Sequence, residues 1–289
     1  MLAFLVPALL WGGLGDRFLV LGLGACALWI VGTLDDRVNL SPWLRMAVET
    51  VAGVGLYAAD LGWTVFSSET LNLIVTVVWV IGVVNAFNLM DNLDGATSTV
   101  AAASAIGIAS FALLHEDTEL AAVAGALAGA CIGFLRYNLA RPARIFLGDG
   151  GSMPVGFIAA AAAIAAAGGA NLGASALPCA AMLVGLVILD TTLVVVSRRR
   201  RGVPLLTGGR DHLTHRLLKM TGTPQAVAAM LATLQLGLCA VALTAAESGR
   251  QAVLWAAAAT LVIGIGVIAV LEIRFGGPHG AAVPAGSGE

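Results

Sequence analysis

The chain has 289 residues, of which 59% are hydrophobic and 11% charged, with a formal net charge of -2 and a mean hydropathy of +0.93. Soluble domains carry ~25% charged residues, so these values exclude a soluble globular protein, and no nucleic-acid partner is expected. Apolar runs recur from one end to the other and leave no room for a second, soluble domain.

Ten apolar segments are predicted in chain order, at 1–14, 18–34, 43–59, 71–90, 96–114, 119–135, 153–169, 174–197, 224–246 and 251–273. Most approach the ~20 residues needed to cross a bilayer as a helix. The expected fold class is therefore all-α, a polytopic integral membrane protein with about ten transmembrane helices in one membrane domain over 1–275, followed by a flexible Gly/Ala/Pro-rich tail over 276–289. The first segment is short, breaks at Gly12-Gly13, and lacks the basic n-region and small-residue cleavage site of a signal peptide. Ser41-Pro42 and Thr223-Pro224 each offer an N-cap followed by proline at the first helical position. Pro154 is expected in a first turn after Ser152. The Ala/Gly-rich stretches at 121–130 and 159–170 are packing surfaces, because small residues let membrane helices approach closely. Cys26, Cys131, Cys179 and Cys239 lie inside apolar runs without CxxC spacing and read as buried free thiols.

The 71–90 segment ends on Asn85-Ala-Phe-Asn-Leu-Met-Asp-Asn-Leu-Asp-Gly95. At ~100° per residue Asn85, Asn88 and Asn92 fall within ~60° of one another on a helix, with Asp91 at the edge of the stripe. Asp94 would fall on the opposite side, so Asp94-Gly95 is read as a turn. An Asp at the centre of a membrane helix costs roughly 3 kcal/mol on insertion, and so dense a polar cluster points to a site.

Orientation follows from the basic residues. If the chain crosses at every segment, thirteen of the fifteen Lys and Arg fall on one side, leaving Arg17 and Arg250 on the other. The positive-inside rule makes the richer side cytoplasmic. The unusual polar clusters fall on that side too: Asp35-Asp36, Asn85 to Gly95, Asn138 with Gly148 to Ser152, and Gly208 to Arg216.

Asp35-Asp36 ends an apolar helix, where the helix dipole disfavours negative charge, so plain capping explains it poorly. Asp149 lies among glycines, where backbone amides can approach a phosphate and a carboxylate can hold Mg2+. The Arg198 to Arg201 run is read as a topology anchor touching anionic lipid. Arg210, His212, His215 and Arg216 form a donor set suited to phosphate oxygens, and the absence of HExxH spacing argues against a zinc hydrolase. Carboxylates for metal, cationic donors for anionic oxygens and a membrane face together indicate phosphoryl transfer involving a lipid phosphate.

The ordered motifs are Leu34-Asp35-Asp36-Arg37 with Leu40-Ser41-Pro42, Asn85-x-x-Asn88-x-x-Asp91-Asn92-x-Asp94-Gly95, Asn138 with Pro142-Ala143-x-Ile145-Phe146-Leu147-Gly148-Asp149-x-Gly151-Ser152, Asp190-Thr191, and Gly208 to Leu217. In these the chain resembles the polyprenyl-phosphate N-acetylhexosamine-1-phosphate transferases, the superfamily that includes phospho-N-acetylmuramoyl-pentapeptide transferase. The resemblance implies that a polyprenyl (undecaprenyl or decaprenyl) phosphate attacks the β-phosphorus of a UDP-N-acetylhexosamine, most simply UDP-GlcNAc, giving polyprenyl-diphosphate-sugar and UMP with Mg2+, or Mn2+ in its place. It implies catalytic roles for Asp35 and Asp36, metal ligation by Asp149 and Asp91, and substrate binding by Asn85, Asn88, Asp94, Asn138, Arg210, His212, His215 and Arg216. It also implies a multi-pass protein of the bacterial cytoplasmic (inner) membrane with its active site facing the cytoplasm, acting at the first membrane step of a cell-envelope glycan and compatible with a homodimer.

Two departures stand out. The family's His-x-His-His is here His212-Leu213-Thr214-His215, which fits the hexosamine branch better than the muramoyl-pentapeptide branch. Family members also carry a helix and a cytoplasmic Pro-Arg-x-Gly-Gly loop before the Asp-Asp segment, so this chain starts late relative to them. The competing classes are a transporter of an anionic solute and a non-enzymatic truncated relative. Polar groups gathered at one face, and no visible inverted repeat, argue against the transporter.

Overall fold

The computed structural model describes residues 16–205 and 209–275, with side chains from residue 19 onward. The expected segment 1–14, the tail 276–289 and Gly208 lie outside the described residues. All regular structure among the described residues is helical: α1 Asp16–Val38, α2 Pro42–Ala58, α3 Glu69–Met90, α4 Ala96–Leu114, α5 Thr118–Asn138, α6 Asp149–Gly169, α7 Ala176–Leu183, α8 Gly185–Arg201, α9 Leu213–Thr221, α10 Pro224–Glu247 and α11 Arg250–Phe275, with a short 3-10 turn at Gly173–Ser175.

Seven of these helices are long and apolar enough to cross a membrane, and α7 with α8 makes an eighth if taken as one bent span. The expected count of ten is therefore not reached among the described residues. Part of the difference is the first segment. The rest is α2, which at 17 residues is at the lower limit of a membrane span; Tyr57 near its end donates to the Glu69 carbonyl at the start of α3, so α2 still runs from the end that holds Asp35 to the opposite one.

The expected caps form. Ser41 accepts from the Trp43 amide ahead of Pro42, and Thr223 accepts from Ala226 ahead of Pro224. Pro154 differs from expectation. Helix α6 begins at Asp149, so Pro154 lies inside it, where its ring removes one backbone hydrogen bond.

Polar contacts at the helix ends fix the up-and-down order. At one end His115, after α4, approaches Glu247 of α10 at 3.8 Å, and Arg250 at the start of α11 donates to the Asn171 carbonyl at 3.0 Å. At the other end meet the end of α1, the starts of α2 and α6, the ends of α3 and α8, and α9. Helices α4 and α6 are the most buried of the spans and α11 the least. Close approach needs small residues: a Cβ on Gly32 of α1 would lie 2.3 Å from the Asp149 carbonyl oxygen of α6.

Two features have no counterpart in the sequence-based expectation. The 174–197 segment breaks at Val184 with a 78° bend between α7 and α8. A break in hydrocarbon frees backbone groups that must find partners inside the protein. Buried Gln235 of α10 supplies them: its Oε1 accepts from Leu186 N at 3.0 Å, and its Nε2 donates to the Leu183 and Met182 carbonyls at 2.8 and 3.3 Å. The other feature is α9, a short amphipathic helix in what was expected to be loop, whose Leu213 and Leu217 face the core.

Candidate active site at one end of the bundle

Asp35, buried near the end of α1, accepts from the Leu40 amide and from Arg45 Nη1, the latter at 2.6 Å. The same Arg45 nitrogen donates to Asp149 Oδ2 at 2.9 Å. One guanidinium on α2 therefore joins carboxylates from α1 and α6. The other oxygen of Asp149 accepts from Asn88 Nδ2 at 2.8 Å, and that amide also reaches Ser152 Oγ at 3.0 Å.

Asp36 is exposed, yet both its oxygens are engaged. Oδ1 accepts from Asp149 N at 2.9 Å and Oδ2 from Gly150 N at 3.0 Å. The first amides of α6 have no partner within their own helix and favour an anion, and Asp36 provides it from α1. Gly148 makes the approach feasible: its φ is +64°, and a Cβ there would lie 2.8 Å from Asp36 Oδ2.

Asp91, the C-cap of α3, accepts from Gly148 N at 2.9 Å. Burial pushes its carboxyl up to about 7; the Gly148 hydrogen bond opposes the rise and the charge of Asp149 adds to it. Asp94-Gly95 forms the expected turn, with Gly95 at φ +80°. Asn138 holds that turn, accepting from Gly95 N at 2.6 Å and donating to the Ile145 carbonyl at 2.9 Å, with Asp94 Oδ1 at 3.5 Å. Asp94, Asn138, Arg141, Pro142 and Gln225 line a cavity of about 280 Å3.

The His loop docks beside this cluster. Thr214 of α9, fully buried, donates to Asn92 Oδ1, one residue beyond Asp91. His212 Nδ1 lies 2.8 Å from Asp190 Oδ2, and the His212 and His215 rings stand 6.4 Å apart. Burial, then the neighbouring His212 and Arg210 charges, hold the His215 pKa below its ordinary value against the opposing pull of Asp190 and Asp211. Arg210 is exposed.

Asp35, Asp36, Asn88, Asp91 and Asp149 thus come together around Arg45 and Gly148, with Asp94 and Asn138 beside the adjoining cavity. Two expected substrate-binding residues are engaged elsewhere. The Asn85 amide donates to Glu49 Oε2 at 2.7 Å and to the Ile81 carbonyl at 2.9 Å. Arg216 is 3% exposed, donates to Glu272 Oε1 at 2.6 Å and Ser197 Oγ at 3.1 Å, and so ties α9 to α11 and α8. Its position inside a charge-rich loop gave no sign of that burial. Two members of the Arg198 to Arg201 run, Arg198 and Arg201, also depart from the anchor reading, whereas Arg199 and Arg200 are exposed. Arg198 is buried and bidentate on Asp211 at 2.9 and 3.1 Å, and Arg201 reaches Asp211 at 2.8 Å.

Sequence reasoning gave no site role to Arg45, none to Ser152 and Asp190 although both lie in its motifs, and did not foresee Glu49 as the partner of Asn85. Arg45 and Glu49 had a signal: an Arg and a Glu four residues apart in a mainly apolar segment, the kind of intramembrane charge that marks a functional site.

Among the described residues no three His, Cys, Asp or Glu side chains converge on one point. Mg2+ is commonly held by only one or two carboxylates plus substrate phosphates. Asp91 accepts from the amide of Gly148, the residue that precedes Asp149, so both carboxylates belong to one turn, and this all-oxygen donor set fits a hard cation that completes its shell with substrate phosphates.

The family model "Glycosyl transferase family 4" matches residues 18–167. A Streptomyces coelicolor protein named as a glycosyltransferase is 37% identical over 275 residues, 91% of this chain and 64% of that protein. The decaprenyl-phosphate N-acetylglucosaminephosphotransferase of Mycolicibacterium smegmatis is 31% identical over 88% of this chain and 69% of its own length. The phospho-N-acetylmuramoyl-pentapeptide-transferase of Desulforudis audaxviator is 38% identical over 52% of this chain and 41% of its own. The chain thus spans between about two fifths and two thirds of the length of these relatives. The matched region carries the Asp35-Asp36, Asn88, Asp91 and Asp149 cluster, and the chain belongs to glycosyl transferase family 4.

Proposed function

We propose that the protein transfers N-acetylglucosamine-1-phosphate from UDP-GlcNAc to a polyprenyl phosphate, at the cytoplasmic face of a bacterial inner membrane. The observation that carries this reading is the Arg45 bridge, which gathers Asp35 and Asp149, with Asn88 and Asp91 beside them, at one end of an apolar bundle. A lipid phosphate at the membrane surface can reach a site placed there. The names of the relatives support the acceptor and the donor, and the excess of Lys and Arg at this end supports the orientation.

The acceptor phosphate oxygen attacks the β-phosphorus, forming one P–O bond as the bond to the bridging oxygen of UMP breaks. UMP leaves as a phosphate monoester. One diphosphate linkage replaces another, so the step is close to reversible. A divalent ion held by Asp149 and Asp91 supplies charge neutralisation for the diphosphate when bound. Arg45 offsets the negative charge of Asp35 and Asp149, and Asp36 fixes the Gly148–Gly150 turn that carries Asp149. Arg210, His212 and His215 offer donors to the phosphate oxygens. The cavity beside Asp94 and Asn138 has room for part of the nucleotide. Positioning and charge neutralisation dominate such chemistry.

The test is UMP release by the purified protein with undecaprenyl phosphate, Mg2+ and a panel of UDP-sugars, with and without EDTA. Metal-dependent release with UDP-GlcNAc is expected. Release with UDP-N-acetylmuramoyl-pentapeptide alone would move the protein to the other branch of the superfamily.

A further inference from the structure

Asp190 lies in the second turn of α8 and is 0% exposed. A buried carboxylate is costly unless its oxygens are matched by donors. Here each oxygen has one: Oδ1 accepts from Leu213 N at 2.6 Å, and Oδ2 lies 2.8 Å from His212 Nδ1. A carboxylate can only accept, so the geometry puts a proton on Nδ1. Nε2, at the opposite side of the ring, has no hydrogen-bond partner among the described residues, and the side chain keeps 5% exposure. His212 is otherwise buried, so its one open nitrogen is the atom left to meet a ligand.

The placement of that nitrogen is fixed from two sides. Asp190 holds the ring and also the first amide of α9, where a negative charge is favoured. Two residues on, Thr214 is bonded to Asn92, the neighbour of Asp91. The ring is thereby locked relative to the turn that carries the Asp91 carboxylate.

We propose that Asp190 is a positioning residue that acts through His212, holding its Nδ1 proton so that Nε2 is presented to an anionic oxygen of the transferred diphosphate. To donate there Nε2 carries the ring's second proton, and Asp190 supplies the countercharge for the imidazolium. No covalent bond forms or breaks at either residue. The kinetic part rests on the transferase reading; the spectroscopic part does not.

The alternative is that Asp190 merely caps α9 through Leu213, and a double-mutant cycle separates the two. Asp190→Asn should lower turnover roughly 100-fold, with a much smaller change in KM for the UDP-sugar. In a His212→Asn background the same substitution should cost almost nothing more. Additive losses would overturn the proposal, because a cap acts whether or not the ring is present. The second readout is the nitrogen NMR of histidine-labelled protein, in which the four histidines are assignable by single substitution. Wild-type His212 should show a protonated Nδ1, and Asp190→Asn should release it. A wild-type ring protonated on Nε2 alone would overturn the proposal even if Asp190→Asn fails to fold or no transferase activity is found.

Discussion

The Asp36 carboxylate is the N-terminal cap of a helix to which it does not belong: Asp149, the first residue of α6, donates its backbone amide to Asp36 Oδ1 at 2.9 Å. The side chain of the same Asp149 is held by Arg45 and Asn88. Backbone and side chain of one residue are thus set by three other segments, which is the preorganisation a phosphoryl-transfer site needs.

Asp36→Asn keeps one acceptor and the shape, so a stability loss of ~1 kcal/mol is expected, typical of a lost cap. Turnover should fall roughly 100-fold because Asp149 is no longer fixed. Asp149→Asn should be at least as damaging, with the protein still recovered in the membrane. Turnover assays on membrane-extracted, monodisperse variants check this, and near-normal rates in either would remove these residues from the site.

Asp91 couples stability to pH. Its folded pKa of about 7 lies above the ~3.9 of an unperturbed Asp, so the folded state keeps a proton that the unfolded chain has lost. Its contribution is fully present below pH ~4, falls as pH rises toward 7, and is flat above. Asp91→Asn removes that slope. The variant's melting temperature should therefore gain on wild type as pH rises from about 4 to about 7, while activity is lost. A gap between the two proteins that does not widen with pH would contradict the assignment.

Gln235→Leu preserves an apolar α10 but strips partners from Leu186 N and the Leu183 carbonyl. Each buried backbone group left unmatched costs roughly 1–3 kcal/mol. The expected outcome is a melting temperature lower by several degrees with little change in turnover at low temperature. Unchanged melting would mean that the break at Val184 satisfies itself by other means.

The sequence carried the site better than the scaffold, for a physical reason. In a chain this apolar, Asp35, Asp36, Asn88, Asp91 and Asp149 are conspicuous, and the helical period and glycine turns place them at segment ends. What a single sequence withholds is partnership. Arg198 looks like a membrane anchor until Asp211 is seen beside it, and Arg216 looks like a phosphate donor until Glu272 is. Nothing in Leu183-Val184-Gly185 announces a 78° bend, because the residue that allows it, Gln235, is about fifty positions away. Arg45 counted only as a topology charge, since its role depends on two carboxylates from other helices.

Single cysteines near Arg199 and near Asp117, in a background without the four native thiols, test the topology. An impermeant thiol reagent applied to intact cells should label the second and not the first. The Asp117 end carries the His115–Glu247 contact, far from the carboxylates. Labelling of both from outside would overturn the orientation and with it the cytoplasmic site.

In the proposed reaction a sugar phosphate, and not a sugar alone, moves to the lipid. The direct measurement is incubation with UDP-GlcNAc radiolabelled at the β-phosphate and polyprenyl phosphate, followed by organic extraction. The label is predicted in the lipid phase, with unlabelled UMP released in equal amount. Label retained in water-soluble UDP while GlcNAc enters the lipid would show that the sugar moves without its phosphate and would rule this reaction out.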